Sequence, residues 1–327
     1  LINGLTMARR VAVDVPSAGL VKADLTVTFA ALKPEHVLPP DCDSMGEIVV
    51  APIGLPERFL AGAKLNLIGK RDLRVISGPR ARDSHKGTFG HVAVLGGARG
   101  KHGALHLASE AAIRGGAGWV TALSPDVEFG PRLPDVMSGV WPSSIAALEG
   151  FRVVAIGPGL GTSDGMRATV EQLYRSHLGP LVLDADALNL LAPLAILNES
   201  GFARVLTPHP GEMNRLLGRE LLDRREDAAG LSAKTNSIVV LKGHRTLIAF
   251  PDGQVWVNPT GSPALAKAGS GDVLTGLIAA LMAQFPIEEA VLAGVYLHGR
   301  CGEMSHERTS LASALCDHLA EGFDELV

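Results

Sequence analysis

An aspartate that follows a glycine-rich loop is the clearest candidate for chemistry in this sequence. The stretch 258–284, NPTGSPALAKAGSGDVLTGLIAALMAQ, runs from that loop into a strongly apolar helical pattern. Gly269, Ser270 and Gly271 are predicted to lie over the helix N-terminus, where free N–H groups and the helix dipole favour an anion such as phosphate. Asp272 either caps this helix or acts as a general base, taking the proton from a hydroxyl that then bonds to a phosphoryl group. We favour the general base.

Two acidic or imidazole-bearing clusters follow other short apolar runs. In DADALN, Asp184 either anchors a loop or holds a hydrated Mg²⁺, and Asp186 is predicted to cap the helix that starts at Ala187. In TPHPGE, two prolines hold the backbone around His209 in a rigid loop, and Glu212 falls in the first turn of the next helix. We therefore expect the His209 imidazole to lie in a functional site.

Three more clusters have both a structural and a functional interpretation. KGHRT (242–246) is either a solvated turn or a phosphate contact, and its position between two strands leading toward the anion site favours phosphate. GPGLG (157–161) and GGARGKHG (96–103) are either tight turns or loops that a ligand approaches. GGARGKHG does not satisfy GxGxxG, so it is weak evidence by itself.

The elements that must position these clusters alternate from Gly90 onward between short β-rich runs and helical segments. This order predicts an α/β fold with a largely parallel central sheet and helices on both faces, because each strand is nearly continuously apolar. In such folds ligands bind at the carboxyl ends of the strands. The predicted strands place all of these polar and glycine clusters at that edge.

Composition limits the function classes. The 327 residues suffice for one large α/β domain and a smaller piece, and a net charge of -4 gives no general attraction to nucleic acid or anionic membranes. Cys42, Cys301 and Cys316 show no metal-ligand spacing, which favours reduced thiols and a cytoplasmic location. The longest apolar run, within 273–283, is too short to span a bilayer. The chain begins with Leu1, which suggests a piece of a longer protein.

The first 56 residues differ from the rest. Strand-like runs at Val11–Val15, Leu25–Ala30 and Ile48–Ala51 are separated by proline-containing turns, and three strands make a poor independent core. We predict a truncated remnant at 1–56, a linker at 57–85 and the main domain at 86–327.

Taken together, the motifs resemble one family. KGTFGHVAVLGG, GPGLG, DADALN, LTPHPGEMNRLL, VVLKGHRTLIA and GSGDVLTG occur in this order over about residues 86–305 and closely resemble the NAD(P)H-hydrate dehydratases of the ribokinase-like superfamily. The resemblance implies removal of water from the S epimers of hydrated NADH and NADPH (NADHX and NADPHX), driven by ADP or ATP. Phosphorylation of the hydroxyl would let phosphate leave, converting ADP to AMP and phosphate. The alternatives are an ATP-dependent kinase of a small hydroxymethyl metabolite and a non-catalytic nucleotide-binding module.

The resemblance also implies roles for particular residues, with Asp272 catalytic and Mg²⁺ accompanying the nucleotide. Expected substrate contacts, besides Asp272, are Ala104, Gly159, Gly161, His209, Pro210, Gly211, Glu212, Met213, Asn214 and Arg215. Expected nucleotide contacts are Lys242, Gly243, His244, Arg245, Thr246, Ser262, Pro263, Ala264, Leu265, Ala266, Lys267, Ala268, Gly269, Ser270 and Gly271. Similar dehydratases are oligomers, and the alanine-rich helix Ala104–Ala112 offers a face for a second subunit.

Residues 1–56 resemble the C-terminal half of the Rossmann-like α/β hydrate epimerase domain that is often fused ahead of this dehydratase. The segments VAVDVPSAG and ADLTVTFAALKP carry the likeness, which implies that Asp14 is catalytic or contacts substrate and that Ser17 lies near a K⁺ site. The upstream substrate loop is absent, and the loop after Ser17 is shortened, with Ala18 before Gly19. We therefore expect no epimerase activity and a K⁺ requirement only in an intact epimerase domain.

Overall fold

The computed structural model describes residues 2–4, 7–17, 20–130 and 132–326. The chain divides into two compact units, Leu1–Leu67 and Ile68–Val327. This division falls inside the predicted linker 57–85, and the predicted domain bounds themselves remain a prediction. Ala18 and Gly19, which carry the predicted loop shortening, lie outside the described residues.

The first unit contains a small parallel sheet. Its strands β1 (Val11–Val13), β2 (Leu25–Phe29) and β3 (Glu47–Ala51) pair in the order β1-β2-β3. A four-residue helix α1 (Pro34–Val37) joins β2 to β3, and a short strand β4 (Leu65–Leu67) follows. The three predicted strands are confirmed with slightly different ends, because each apolar run is β-branched and bounded by turn residues.

The second unit is built on a large sheet. Its described strands are β5 (His91–Leu95), β6 (Trp119–Ser124), β7 (Met137–Val140), β8 (Val153–Ile156), β9 (Leu181–Leu183), β10 (Arg204–Leu206), β11 (Ile238–Leu241), β12 (Leu247–Ala249) and β13 (Val255–Val257). They lie in the order β13-β12-β11-β10-β9-β8-β5-β6-β7. Neighbours from β11 through β7 pair in parallel, whereas β11-β12-β13 is an antiparallel meander.

Helices connect and cover these strands. They are α2 (His102–Arg114), α3 (Asp164–Ser176), α4 (Ala185–Leu191), α5 (Pro210–Leu217), α6 (Arg224–Thr235), α7 (Ser270–Met282), α8 (Ile287–Met304) and α9 (Leu319–Asp324). Every residue of β8, β9, β10 and β11 is buried. Successive side chains of a strand point to opposite faces, so both faces of the central sheet must be covered. The predicted α/β class with a largely parallel central sheet is confirmed.

The predicted grouping of motifs at one edge is also confirmed. GGARGKHG follows β5, GPGLG follows β8, DADALN follows β9, TPHPGE follows β10 and KGHRT follows β11. These five strands run in parallel. Their carboxyl ends therefore meet at one edge of the sheet, where α/β folds bind ligands.

Helix α7 forms the centre of this unit. All of its residues from Val273 to Met282 are buried, and it packs against α2, α8 and the sheet. Ala108, Ala111 and Ala112 of α2 are completely buried here. The proposal that the alanine face of α2 contacts a second subunit is therefore wrong, because α7 of the same chain covers that face.

Two further expectations concern membrane spans and thiols. Among the described residues, no helix combines the length and the apolar character that crossing a bilayer requires. Cys42, Cys301 and Cys316 are buried, and Cys301 and Cys316 are free thiols. Burial raises the pKa of the Cys301 and Cys316 thiols to about 12, so both are protonated at neutral pH.

The close contact between α2 and α7 predicts that alanine destabilises the protein at Gly276, which lies in the contact, but not at Gly230, which lies outside it. A Cβ at Gly276 would lie 1.9 Å from the Ala108 carbonyl oxygen, so Gly276→Ala must push the helices apart and should destabilise the fold by about 1–3 kcal/mol. Gly230 lies in α6 with open space around it, so Gly230→Ala should stabilise by up to about 1 kcal/mol. Chemical denaturation of both variants tests this, and equal effects would contradict the close approach.

Candidate active site

The glycine-rich loop ends where α7 begins. Gly269 is the N-cap residue with φ +94°, a conformation that favours glycine. The Ser270 hydroxyl donates to the carbonyl oxygens of Leu265 (2.7 Å) and Lys267 (3.0 Å), and His298 Nε2 lies 2.8 Å from the Ser270 carbonyl oxygen. These contacts hold the loop over the first turn of α7, and the predicted loop-to-helix order is confirmed.

Beneath this loop lies the ammonium group of Lys242. Lys242 Nζ donates to Asp184 Oδ1 at 2.7 Å and lies 3.9 Å from Glu212 Oε2. A Cβ at Gly271 would come within 3.2 Å of this ammonium, so glycine leaves it room beside the backbone. Burial lowers the pKa of Lys242, but the carboxylates of Asp184 and Glu212 outweigh it and leave the pKa raised. Lys242 therefore remains a cation at the loop.

The structure decides between the two interpretations of Asp184. Its side chain is buried, Oδ1 accepts from Lys242, and Oδ2 accepts from the Thr275 hydroxyl of α7 at 2.8 Å. A carboxylate with both oxygens engaged in this way does not fit a direct Mg²⁺ ligand, which needs an accessible oxygen. Asp184 is instead the anchor of Lys242.

Asp186 was predicted to cap a helix that starts at Ala187, and this prediction is wrong. Helix α4 starts at Ala185 with Asp184 as its N-cap residue. Asp186 Oδ2 accepts instead from the Gly161 N–H at 2.8 Å and from Lys101 Nζ at 3.0 Å. Long-range partners on two loops thus determine its role, and sequence spacing does not reveal them.

Asp272 lies half-buried in the first turn of α7 beside these charges. Burial and, to a smaller extent, the Asp184 carboxylate raise its pKa from the usual 3.8 to about 7, although the Lys242 charge opposes both. Because the N-cap of α7 is Gly269, the alternative that Asp272 caps the helix is not supported. A carboxyl group that titrates near neutral pH suits general-base catalysis.

His209 caps α5 rather than standing free on a loop. Its Nδ1 accepts from the N–H groups of Gly211 (3.0 Å) and Glu212 (3.3 Å), and the His209 N–H donates to Glu212 Oε2 at 2.8 Å. Burial and the Lys242 charge lower the pKa of His209, so the ring is neutral at pH 7. With Nδ1 accepting, the ring proton lies on Nε2, which is 3.5 Å from Glu212 Oε1 on a half-exposed ring.

A cavity of about 600 Å³ opens beside the loop and the β11–β12 hairpin. This volume suits one nucleotide-sized ligand. The predicted nucleotide contacts that line it are Lys242, Gly243, His244, Arg245, Thr246, Ser262, Pro263, Leu265, Ala266, Ser270 and Gly271. Sequence reasoning did not assign the other lining residues, which are Asn258, Pro259, Thr260, Gly261, Leu274, Val295, His298 and Gly299.

Four predicted nucleotide contacts do not line this cavity: Ala264, Lys267, Ala268 and Gly269. Lys267 Nζ donates instead to the carbonyl oxygens of Arg308 and Ser310. Ala264 is buried, and a Cβ at Gly269 would lie 2.5 Å from Leu107 Cδ1 of α2. Lys267, Ala264 and Gly269 thus contact other parts of the protein and not the cavity.

The predicted substrate contacts fall into two groups. A Cβ at Gly159 would lie 3.2 Å from the Ala104 Cβ, so the GPGLG loop and the start of α2 are in contact. In α5, Met213 is fully buried and the Asn214 side chain accepts from the Leu221 N–H at 2.9 Å. Neither of these two side chains is brought to the glycine loops, whereas Arg215 reaches Asn189 Oδ1 of α4 at 2.7 Å.

Comparison with known proteins agrees with this site. The family described as NAD(P)H-hydrate dehydratase matches residues 92–323. The chain belongs to this family. An ADP-dependent (S)-NAD(P)H-hydrate dehydratase of Neisseria meningitidis is 40% identical over 72% of this chain and 84% of its own length. The crystal structure of the Bacillus subtilis ADP/ATP-dependent dehydratase, co-crystallized with ATP/Mg²⁺, superimposes with a TM-score of 0.72 at 33% identity, covering 80% of this chain and 99% of that chain.

A longer relative also spans the first unit. The bifunctional NAD(P)H-hydrate repair enzyme of Moorella thermoacetica is 39% identical over 98% of this chain, which covers 68% of that enzyme. A similar enzyme of Thermofilum pendens is covered over 62% of its length. The chain thus spans about two thirds of these bifunctional proteins. Membership in a hydro-lyase family confirms the dehydratase interpretation over the kinase and the non-catalytic module.

The raised pKa of Asp272 predicts how Asp272→Asn changes stability with pH. In wild type without nucleotide, the folded chain holds a proton on Asp272 up to about pH 7, whereas the unfolded chain loses it near the usual 3.8. Wild-type stability therefore falls between these values and stays reduced above pH 7. The amide that replaces the carboxyl group cannot ionise. The melting temperature of the variant should therefore equal that of wild type near pH 4 and exceed it at pH 8. The difference should be roughly 2–4 °C for each kcal/mol of unfolding free energy that the variant regains.

Thermal unfolding at both pH values measures this effect. The exposed Asp83 provides a matched control, and Asp83→Asn should show no such pH dependence. A variant at position 272 that melts lower than wild type at pH 8 would contradict the burial of this carboxyl.

Proposed function

We propose that this chain removes water from the S epimers of hydrated NADH and NADPH, with ADP converted to AMP and phosphate. The observation that carries the proposal is the environment of Asp272, which combines a helix start that favours phosphate, the adjacent half-buried Lys242 and a pKa of about 7. The dehydratase family membership gives the reaction class. The Neisseria and Bacillus relatives are described as using ADP or as ADP/ATP-dependent.

In the proposed reaction, Asp272 takes the proton from the hydroxyl at C6 of the hydrated ring. The hydroxyl oxygen bonds to the β-phosphorus of ADP, and the bond from that phosphorus to the AMP oxygen breaks. The C6–O bond then breaks, phosphate departs with the electron pair, and loss of a C5 proton restores the ring double bond. The water oxygen thus ends in phosphate, and the products are the reduced dinucleotide, AMP and phosphate.

Other groups of the site would assist the phosphoryl transfer. N–H groups at the start of α7 and the Lys242 ammonium face the charge that develops on the transferring phosphoryl group. Each well-placed donor would contribute roughly 2.7–4 kcal/mol of transition-state stabilisation. The Nε2–H of His209 would donate to the dinucleotide. Mg²⁺ would enter with the nucleotide phosphates, because Asp184 is engaged elsewhere.

The proposal extends to several further properties. We propose ADP as the phosphoryl donor, with ATP as the alternative, a cytoplasmic location and a homo-oligomer whose contact is not the alanine face of α2. The predicted site residues at 104, 159, 161, 209–215, 242–246 and 262–272 remain proposals. A K⁺ site at Ser17 belongs to an intact epimerase domain. In the first unit, the Asp14 carboxylate is held by Lys33 and by the Thr28 hydroxyl.

The dehydratase assay adds ADP or ATP to NADH hydrate and follows absorbance of the restored dihydronicotinamide. We expect turnover by wild type and a loss of about 10²–10⁴-fold in kcat for Asp272→Asn, because a positioned base contributes that much. The rate should rise with pH through about 7, where Asp272 ionises. Nucleotide consumption with a vitamin precursor alone would instead establish the kinase.

We also expect no epimerase activity. The purified chain should convert only the S hydrate and leave the R hydrate unchanged, since the loop after Ser17 is shortened relative to the epimerase pattern. Chromatography of pure R hydrate after incubation, with and without K⁺, measures this. Appearance of the S epimer in excess of a protein-free control would contradict the expectation.

A further inference from the structure

The loops after β5 and β8 form one rigid surface. The Gly97 N–H donates to the Pro158 carbonyl oxygen at 2.8 Å, and the Ala98 N–H donates to the Gly159 carbonyl oxygen at 2.7 Å. A Cβ at Gly96 would lie 2.0 Å from the Pro158 carbonyl oxygen, so the two backbones approach as closely as glycine allows. The backbones of the two loops therefore have fixed positions relative to each other.

Lys101 extends from this surface and is oriented by Asp186. Asp186 Oδ2 accepts from Lys101 Nζ at 3.0 Å and from the Gly161 N–H at 2.8 Å. The Lys101 side chain is 52% exposed, whereas Asp186 is only 18% exposed. An ammonium group has three donors, and Asp186 occupies one of them, so two remain for a ligand. The cation is thus held in place without being covered.

The neighbours of Lys101 are residues expected to contact substrate. A Cβ at Gly159 would lie 2.9 Å from the Lys101 Cβ and 3.2 Å from the Ala104 Cβ. Arg99 on the same loop is 85% exposed and lies 3.9 Å from Glu128, so it is loosely held by comparison. Of these two cations, only Lys101 is fixed beside the expected dinucleotide contacts.

We propose that Lys101 binds an anionic group of the dinucleotide substrate and that Asp186 is the residue that positions it. This inference rests on the proposed function, because a hydrated dinucleotide supplies the anion. The group is either the pyrophosphate, present in both hydrates, or the 2′-phosphate, present only in the NADPH hydrate. A charge-assisted hydrogen bond of this kind affects substrate binding and leaves the chemistry at Asp272 unchanged.

Steady-state kinetics of Lys101→Met with both hydrates tests the contact. We expect KM for the hydrate to rise roughly 10- to 100-fold, as loss of a hydrogen bond to a charged group implies, with kcat and KM for ADP nearly unchanged. Equal rises for both hydrates assign the pyrophosphate, and a rise confined to the NADPH hydrate assigns the 2′-phosphate. Lys101→Arg should retain most of the affinity.

The positioning role of Asp186 needs a separate readout. Asp186→Asn should also raise KM for the hydrate, and the double variant with Lys101→Met should match Lys101→Met alone, because Asp186 acts through the lysine. Additive losses of affinity, or a loss of kcat alone, would overturn the positioning role.

Controls separate this inference from the proposed function. Lys234, an exposed lysine in the last turn of α6, provides Lys234→Met as a matched loss of charge that should leave KM unchanged. Active wild type together with an unchanged KM in Lys101→Met overturns the inference and leaves the function intact. Wild type that restores neither dinucleotide overturns the proposed function itself.

Discussion

The site depends on one buried carboxylate. Asp184, at the end of β9, accepts hydrogen bonds from Lys242 at the end of β11 and from Thr275 inside α7. It thereby joins two strands of the sheet to the helix whose N-terminus faces the loop. Removing one partner of a buried pair leaves an uncompensated charge, which typically costs several kcal/mol. The three elements are thus held in one arrangement, and the Lys242 ammonium is held with them beneath Gly271.

The same arrangement accounts for the chemistry available to Asp272. Burial raises the pKa of its carboxyl group, the Asp184 carboxylate adds to the rise, and Lys242 limits it. A site that held Lys242 without Asp184 would lower this pKa and weaken the base. The anchor of the cation is therefore also a determinant of the basicity of Asp272. The contact between Asp184 and Lys242 thus has two consequences. It fixes a cation that can bind phosphate, and it keeps the pKa of Asp272 near neutral pH.

Local patterns in the sequence predicted much of this structure. The order of strands and helices, the glycine loop before α7 and the gathering of motifs at one sheet edge follow from periodicity and from the topology of parallel sheets. His298 was not predicted, because it is a buried residue of α8 without a recognisable motif and reaches Ser270 only through folding. The partners of Asp186 and the backbone contacts of Lys267 are likewise long-range, so spacing alone could not reveal them.

The two aspartates of DADALN connect one turn to two parts of the site, the residues around Lys242 and the loops around Lys101. An extended chain at this point would place both side chains on the same side. In the structure Asp184 is the extended N-cap residue of α4, Ala185 has a left-handed φ of +48°, and Asp186 lies in the first turn, so the two side chains have different partners. Asp184 thus reaches Lys242 and α7, while Asp186 reaches Lys101 and Gly161. Transfer of a phosphoryl group requires donor and acceptor at a fixed separation, and anchoring both sides on a single rigid turn is a direct way to fix it.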